Sequence, residues 1–230
     1  LSKLASEHVK VVLGGQGADE VFCGYARYLL AYLERGLKSA IYGDVNAPDL
    51  VRLAPNLRYL QGYEPTMERL FSSDLFGPDA DRYYRLLQRS QDMEGIVMAG
   101  NGDMSYSTRE AFRGEYERPE TDSSLDRMLY VDVKNHLQSL LQLEDRTSMA
   151  VSLETRLPLL DHRIVELACG VPASARFGDG QPKHLFRKAI ASTVPREILE
   201  RKDKMGFPVP IYEWFSGELR PFVEDILLGD

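Results

Sequence analysis

One stretch constrains this chain more than any other: Lys10-Val11-Val12-Leu13-Gly14-Gly15-Gln16-Gly17-Ala18-Asp19-Glu20. An apolar run, Val9 to Leu13, reads as a strand that breaks into a turn with three glycines in four positions and then enters a helix. Glycines let the backbone approach a ligand and aim its N–H groups, and a helix N-terminus favours an anion, so the pattern suits a phosphate. The spacing fits neither the dinucleotide fingerprint, because Glu20 occupies its last glycine position, nor the P-loop, because no GK[ST] follows.

Asp19 sharpens that reading. A carboxylate beside a bound phosphate repels it unless a cation lies between them, and magnesium is the usual bridge between hard oxygens. The plainer alternative is that Asp19 and Glu20 complement the dipole of a helix whose entry needs flexible glycines.

The 230 residues are 43% hydrophobic and 27% charged, with a net charge of -7, which describes an ordinary soluble globular chain of one large domain or two small ones. Its purely apolar stretches are a few residues long, far short of the roughly 20 that span a bilayer. The acidic balance argues against a general nucleic-acid binder. Cys23 and Cys169 sit in apolar sequence without CxxC or Cys/His pairing, and both are expected to be buried reduced thiols. No signal-peptide pattern opens the chain, so a cytoplasmic setting is the default expectation. Leu1 is not methionine and the first strand arrives within ten residues, which reads as a piece of something longer.

Past Leu13 the pattern is mostly helical. Phe22, Tyr25, Leu29, Tyr32 and Leu33 predict a helix packed on the strand, and Gly77-Pro78 predicts a stop and a new helix over 79–93. Loops are expected from Gly95 to Asp122, with Gly100-Asn101-Gly102-Asp103 a strong turn. An apolar face from Leu125 to Leu141 predicts one long helix with Asp122 as N-cap. Almost no strand alternation appears after Leu13. The expectation is a predominantly α-helical body with an N-terminal strand.

Two further clusters carry charge. From Leu143 to Arg163, charges are interleaved with large apolar residues, so several must be partly buried and paired. Glu154 and Arg156 share one face of an extended segment. Internal ion pairs pinning an irregular stretch explain this cluster as well as a substrate site does, and His162 reads more simply as an ordinary hydrogen-bonded histidine. From Lys183 to Lys204 the charge is locally positive on an acidic chain, which points to an anionic ligand, although solvated lysines account for any single member. Lys183 falls at a helix start, where no dipole benefit explains a cation. Met205-Gly206-Phe207-Pro208 reads as a tight apolar turn.

The stretches VVLGGQGADEVFCGYARYL, LEDRTSMAVSLETRLPLLDHR, KHLFRKA and RKDKMGFPVPIYEWF together resemble the C-terminal synthetase region of glutamine-hydrolysing asparagine synthetases, with a poorly matching middle from about 45 to 120. The resemblance implies an α/β parent fold of the adenine nucleotide α-hydrolase type with a parallel sheet, of which residues 1–230 are a partial domain. It implies a ligase that activates aspartate with ATP and magnesium as an acyl-adenylate, and a glutamine amidotransferase domain that frees ammonia to displace AMP. By position, Gly14, Gly15, Gly17 and Asp19 resemble the nucleotide and pyrophosphate site, with Asp19 also on the metal. Lys183 and Gln16 resemble the catalytic positions, and Glu20, Asp145, Arg146, Glu154 and Arg156 resemble the substrate side or its structural support.

Two departures stand out. The family commonly has glutamate where Gln16 stands, and related β-lactam synthetases have tyrosine. A glutamine amide cannot take up a proton as a carboxylate does, so another carboxylate acceptor on a sugar, peptide or metabolite is an alternative to aspartate. The family's SGGxDS pyrophosphatase loop is not among these residues, nor is the glutaminase domain with its nucleophilic cysteine. The isolated piece is therefore expected to be inactive. A non-catalytic binding module is the alternative of a different class.

Overall fold

The computed structural model describes residues 1–43, 50–72, 74–88, 107–201 and 209–229. It divides into two compact units, Leu1–Leu199 and Glu200–Asp230.

The first unit opens with a short helix, α1 (Ser2–Ser6), that sequence patterning does not reveal, and strand β1 spans Val11–Leu13 rather than starting at Val9. After the glycine turn the chain forms two helices where one is expected: α2 (Ala18–Val21) and α3 (Ala26–Tyr42). Between them Cys23 adopts a left-handed φ of 59°, and the Gly24 N–H donates back to the Asp19 carbonyl at 2.8 Å. The periodic aromatic stripe hides this break because Phe22 and Tyr25 keep helical spacing on either side of it. Most of the stripe faces other helices: α3 packs against α4 (Leu50–Leu53), the 3₁₀ segment Ala54–Leu60, and two later helices, Asp79–Leu87 and Ser124–Val131.

Helices α5 (Glu64–Phe71) and α6 (Asp79–Leu87) follow, the second starting where Gly77-Pro78 predicts. Its predicted extension to 93 ends at Gln88, which is already extended, and residues 89–93 lie outside the described residues. So do Gly100 to Asp103 and Met205 to Pro208. The expected loop before Asp122 contains a helix, α7 (Thr108–Glu117), capped by the Ser107 hydroxyl, which accepts from the Glu110 N–H at 3.2 Å. This helix is polar on most faces, so hydrophobic periodicity underreports it; Tyr116 is its buried anchor.

The long helix exists in three parts: α8 (Ser124–Val131), a π-helical stretch Asp132–Leu137, and α9 (Gln138–Met149). Its N-cap is Ser123, whose hydroxyl accepts from the Asp126 N–H at 3.2 Å, not Asp122. The wide register begins at buried Asp132. Its Oδ2 accepts from Arg27 Nη2 at 2.8 Å, Tyr28 Oη at 2.5 Å and Tyr83 Oη at 2.6 Å. Those donors compensate the desolvation of a buried carboxylate.

Strand β2 (Glu154–Arg156) runs parallel to β1 with Val11 opposite Glu154 and Leu13 opposite Arg156. Three residues reading Glu-Thr-Arg carry no apolar alternation, so this strand escapes a search by pattern. Helices α10 (His162–Gly170), α11 (Ala173–Phe177), α12 (His184–Ile190) and α13 (Arg196–Leu199) complete the unit. The main core gathers Tyr28, Leu29, Leu30, Leu53, Leu70, Tyr83, Tyr116, Leu125, Met128 and Phe177, and Cys23 is buried in it. Cys169, by contrast, is exposed on α10.

The second unit contains α14 (Ile211–Ser216) and α15 (Arg220–Leu228) packed on each other. Among the described residues, no helix is long and apolar enough to cross a membrane.

Candidate active site

The glycine turn ends at Gly17, the residue before α2, with a φ of 89°. A side chain there would be strained by the backbone and would also strike Leu160, whose Cδ2 lies 2.1 Å from where a Cβ would fall. Glycine is therefore demanded twice at this position. Beside Gly15, by contrast, a Cβ would meet nothing within 4 Å, so that backbone borders open space. Helix α2 is a single turn, and its dipole is correspondingly small. The strong charges come from side chains instead.

Asp19 projects from α2 and meets Lys183, whose Nζ lies 3.2 Å from Asp19 Oδ2. Both side chains are partly exposed, at 23% and 27%. Gly24 forms the floor of this pair: a Cβ on it would lie 2.0 Å from Asp19 Oδ1 and 2.5 Å from Lys183 Cε. The break between α2 and α3 therefore creates the space in which the two charges meet. Gly24 is the site residue that sequence reasoning misses, because it reads as one position inside a continuous helix.

The second half of the chain is delivered to that spot by identifiable contacts. Arg176 of α11 donates to the Val21 carbonyl at 3.0 Å and to Asp126 at 2.7 Å, tying α11 to the end of α2 and to α8. Two left-handed glycines, Gly178 and Gly180, then turn the chain, and a Cβ on Gly180 would strike Leu29 and Leu53. Lys183 itself has a left-handed φ of 57°, and its N–H points to the Cys23 carbonyl at 3.4 Å. An L-residue in that region is uncommon.

A second gathering forms around Gly14. A Cβ on it would lie 2.6 Å from Gln16 Oε1, 2.6 Å from Leu157 Cδ2 and 3.0 Å from Glu144 Oε1. Among the described residues, Gln16 Oε1 and Glu144 Oε2, both buried, find no hydrogen-bond partner. Burial pushes the Glu144 carboxyl above the usual carboxylate range. Glu144 lies within a cluster that the sequence marks, yet only its surroundings single it out.

The remaining candidates are placed differently. Glu20 is 2% exposed, and its Oε1 accepts from Tyr25 Oη at 2.5 Å, which secures the break between α2 and α3. Burial pushes the Tyr25 phenol upward, so it remains a donor. Asp145 and Arg146 are exposed on α9. Glu154 and Arg156 share one face of β2 as expected, joined at 2.9 Å, but both are more than half exposed, so the pair adds little stability. His162 is exposed; beside it, Asp161 accepts from Arg163, which holds the Asp161 carboxyl well below its usual range.

Among the described residues no group of three or more acidic, histidine or cysteine side chains could hold a metal by itself. A magnesium ion shared with a polyphosphate needs only one or two protein carboxylates. Asp19, beside a lysine and over a glycine floor that leaves room for close approach, fits that role.

Residues 1–230 match the asparagine synthase family along their whole length. The chain is 30% identical over 236 residues to glutamine-hydrolysing asparagine synthetase 1 of Bacillus subtilis (strain 168), covering 99% of this chain and 35% of that protein. It is 30% identical over 241 residues to a putative glutamine-hydrolysing asparagine synthetase of Mycobacterium tuberculosis (strain H37Rv), covering 95% and 33% respectively. A match of 54% identity over 48 residues, covering 19% of this chain and 9% of the relative, links it to a putative asparagine synthetase of Methanocaldococcus jannaschii. The chain thus spans about a third of the length of the first two relatives. It belongs to the asparagine synthase family, whose domain has the adenine nucleotide α-hydrolase fold.

Proposed function

We propose that these residues form part of a synthetase active site that activates a carboxylate with ATP and converts it to an amide with ammonia. The observation that supports this reading is the Asp19–Lys183 pair over Gly24, a carboxylate and an ammonium side by side in a partly exposed position. When bound there, magnesium would supply charge neutralisation between Asp19 and the polyphosphate.

The protein's own residues have distinct tasks. Lys183 offsets the negative charge that grows at the α-phosphate as the substrate carboxylate attacks and pyrophosphate leaves; a preoriented charge of this kind is usually the largest catalytic contribution. The backbone at Gly15 and Gly17 allows the phosphates to approach closely. Gly24 keeps Asp19 and Lys183 within reach of one polyanion. The product of this half-reaction is an acyl-adenylate, from which ammonia displaces AMP.

Aspartate is the acceptor named by the family, and ammonia would come from glutamine through a domain outside these residues. Gln16 favours a second reading with the same chemistry on a different carboxylic acid, since glutamate commonly stands there. Residues 1–230 alone, which contain no SGGxDS segment, should release no pyrophosphate.

The test is carboxylate-dependent pyrophosphate release by the full-length parent, supplied with ATP, magnesium, ammonia and a panel of acids. The proposal expects release and amide formation with aspartate or one other member of the panel. Failure of every acid to stimulate release would overturn it.

A further inference from the structure

We infer that Glu144, working across from Gln16, accepts the proton that the attacking amine loses during amide formation; this rests on the amide-forming reading above. The geometry that carries it is the gathering around Gly14. Gln16 Oε1 and Glu144 Oε1 lie 2.6 and 3.0 Å from the point that a Cβ on Gly14 would occupy, a point too crowded for any side chain, so the two oxygens come close to each other only because residue 14 is glycine. An amide carbonyl and an ionised carboxylate are acceptors only. Gln16 Oε1 and Glu144 Oε2 are nonetheless buried with no donor among the described residues, an arrangement that is costly unless something supplies N–H groups. Ammonia or a primary amine supplies them.

Position and chemistry agree with that role. Gln16 lies three residues before Asp19, so their α-carbons are at most about 11 Å apart. Gln16 can orient an N–H but cannot take its proton, whereas Glu144 can. Burial raises the proton affinity of Glu144, which makes it a better general base near neutral pH. Among the described residues, the elements packed most closely on α9 are α1, β2 and the π-helical stretch, carrying Lys3, Glu154, Arg156, Asp132, Lys134 and His136. Glu154 and Arg156 pair with each other, Asp132 is held by Arg27 and two tyrosines, and desolvation alone accounts for the shift at Glu144.

The step balances without a further reactant. The amine lone pair attacks the acyl carbon of the adenylate, forming the C–N bond as the carbonyl electrons move to oxygen. The nitrogen proton passes to Glu144 Oε2. The carbonyl re-forms, the bond from acyl carbon to phosphate oxygen breaks, and its electron pair leaves with AMP. Glu144 then returns the proton to water.

The test uses the full-length parent and measures two half-reactions across pH: acid-dependent exchange of pyrophosphate into ATP, and amide formation from ammonia with the concentration of free NH3 held constant at every pH. For Glu144→Gln the inference expects exchange close to wild type, amide formation slower by about 100-fold or more, and loss of the acid limb of the amide-forming rate. Glu144→Asp keeps a carboxylate and should recover the acid limb, which guards against a variant that merely folds poorly. Equal losses in both half-reactions, or an unchanged acid limb in Glu144→Gln, would overturn the assignment of Glu144 while leaving the amide-forming reading intact. A wild-type parent with no acid-dependent exchange would instead remove that reading and this inference together.

Discussion

Lys183 Nζ and Asp19 Oδ2 lie 3.2 Å apart although they come from opposite ends of the first unit, and Gly24 lies directly beneath both side chains. The pair exists because α2 ends after one turn and the left-handed glycines at 178 and 180 return the chain to the resulting notch.

Gly24 should therefore tolerate no side chain. In Gly24→Ala the new methyl would push Asp19 and Lys183 apart. A displacement of about 1 Å in a catalytic group is worth about 100-fold in rate. Acid-dependent pyrophosphate release by the full-length parent carrying Gly24→Ala should fall by about that factor. Wild-type turnover would show that the notch has no catalytic importance.

Asp132 organises the helical core through Arg27, Tyr28 and Tyr83. Asp132→Asn removes the charge opposite Arg27 and should destabilise the first unit by about 3 kcal/mol, the lower end for a broken buried pair because the Arg27 side chain is 18% exposed. Urea denaturation followed by far-UV circular dichroism reads this directly, and a loss under about 1 kcal/mol would contradict the network's role.

Acid should loosen the contact between α6 and α7. Hydrogen bonding from Arg109, supported by Arg113, holds the Asp81 carboxyl down to about 2 against its usual 3.8. A depressed carboxylate stabilises the fold fully above its unfolded value, and that contribution fades as pH falls through the folded value. Wild type should thus be more stable than Asp81→Asn at pH 5, with the difference closing between about pH 4 and pH 2. A difference independent of pH would refute the assignment.

The two thiols should behave oppositely. Burial pushes Cys23 up to about 12, and Cys169 is exposed on α10. A thiol-reactive chromophore at pH 8 should label Cys169 in the folded chain and reach Cys23 only after denaturation. Rapid labelling of both would show that the core around Cys23 opens readily.

What the sequence makes legible is local chemistry: the glycine turn, Asp19 beside it, and a lysine where no helix dipole calls for one. Gly24 stays hidden because Phe22 and Tyr25 preserve helical spacing across a break made by backbone dihedrals. Glu144 stays hidden because its carboxylate becomes unusual only when buried near Gln16, a relation that no spacing expresses. Strand β2 is too short and polar for alternation to register, and the π-helical stretch at Asp132 keeps the apolar face continuous while shifting its register. Apolar neighbours suggest burial for Cys169, but α10 turns it toward the surface.

The most direct test is a double-mutant cycle on Asp19→Asn and Lys183→Ala in the full-length parent, read as the single-turnover rate of pyrophosphate release with saturating ATP, magnesium and the acid substrate. If both side chains act on one polyanion, each single variant should lose about 100-fold or more, and the double variant should be far less impaired than the product of the two losses. Losses that simply multiply, or single variants that release pyrophosphate at the wild-type rate, would contradict the account.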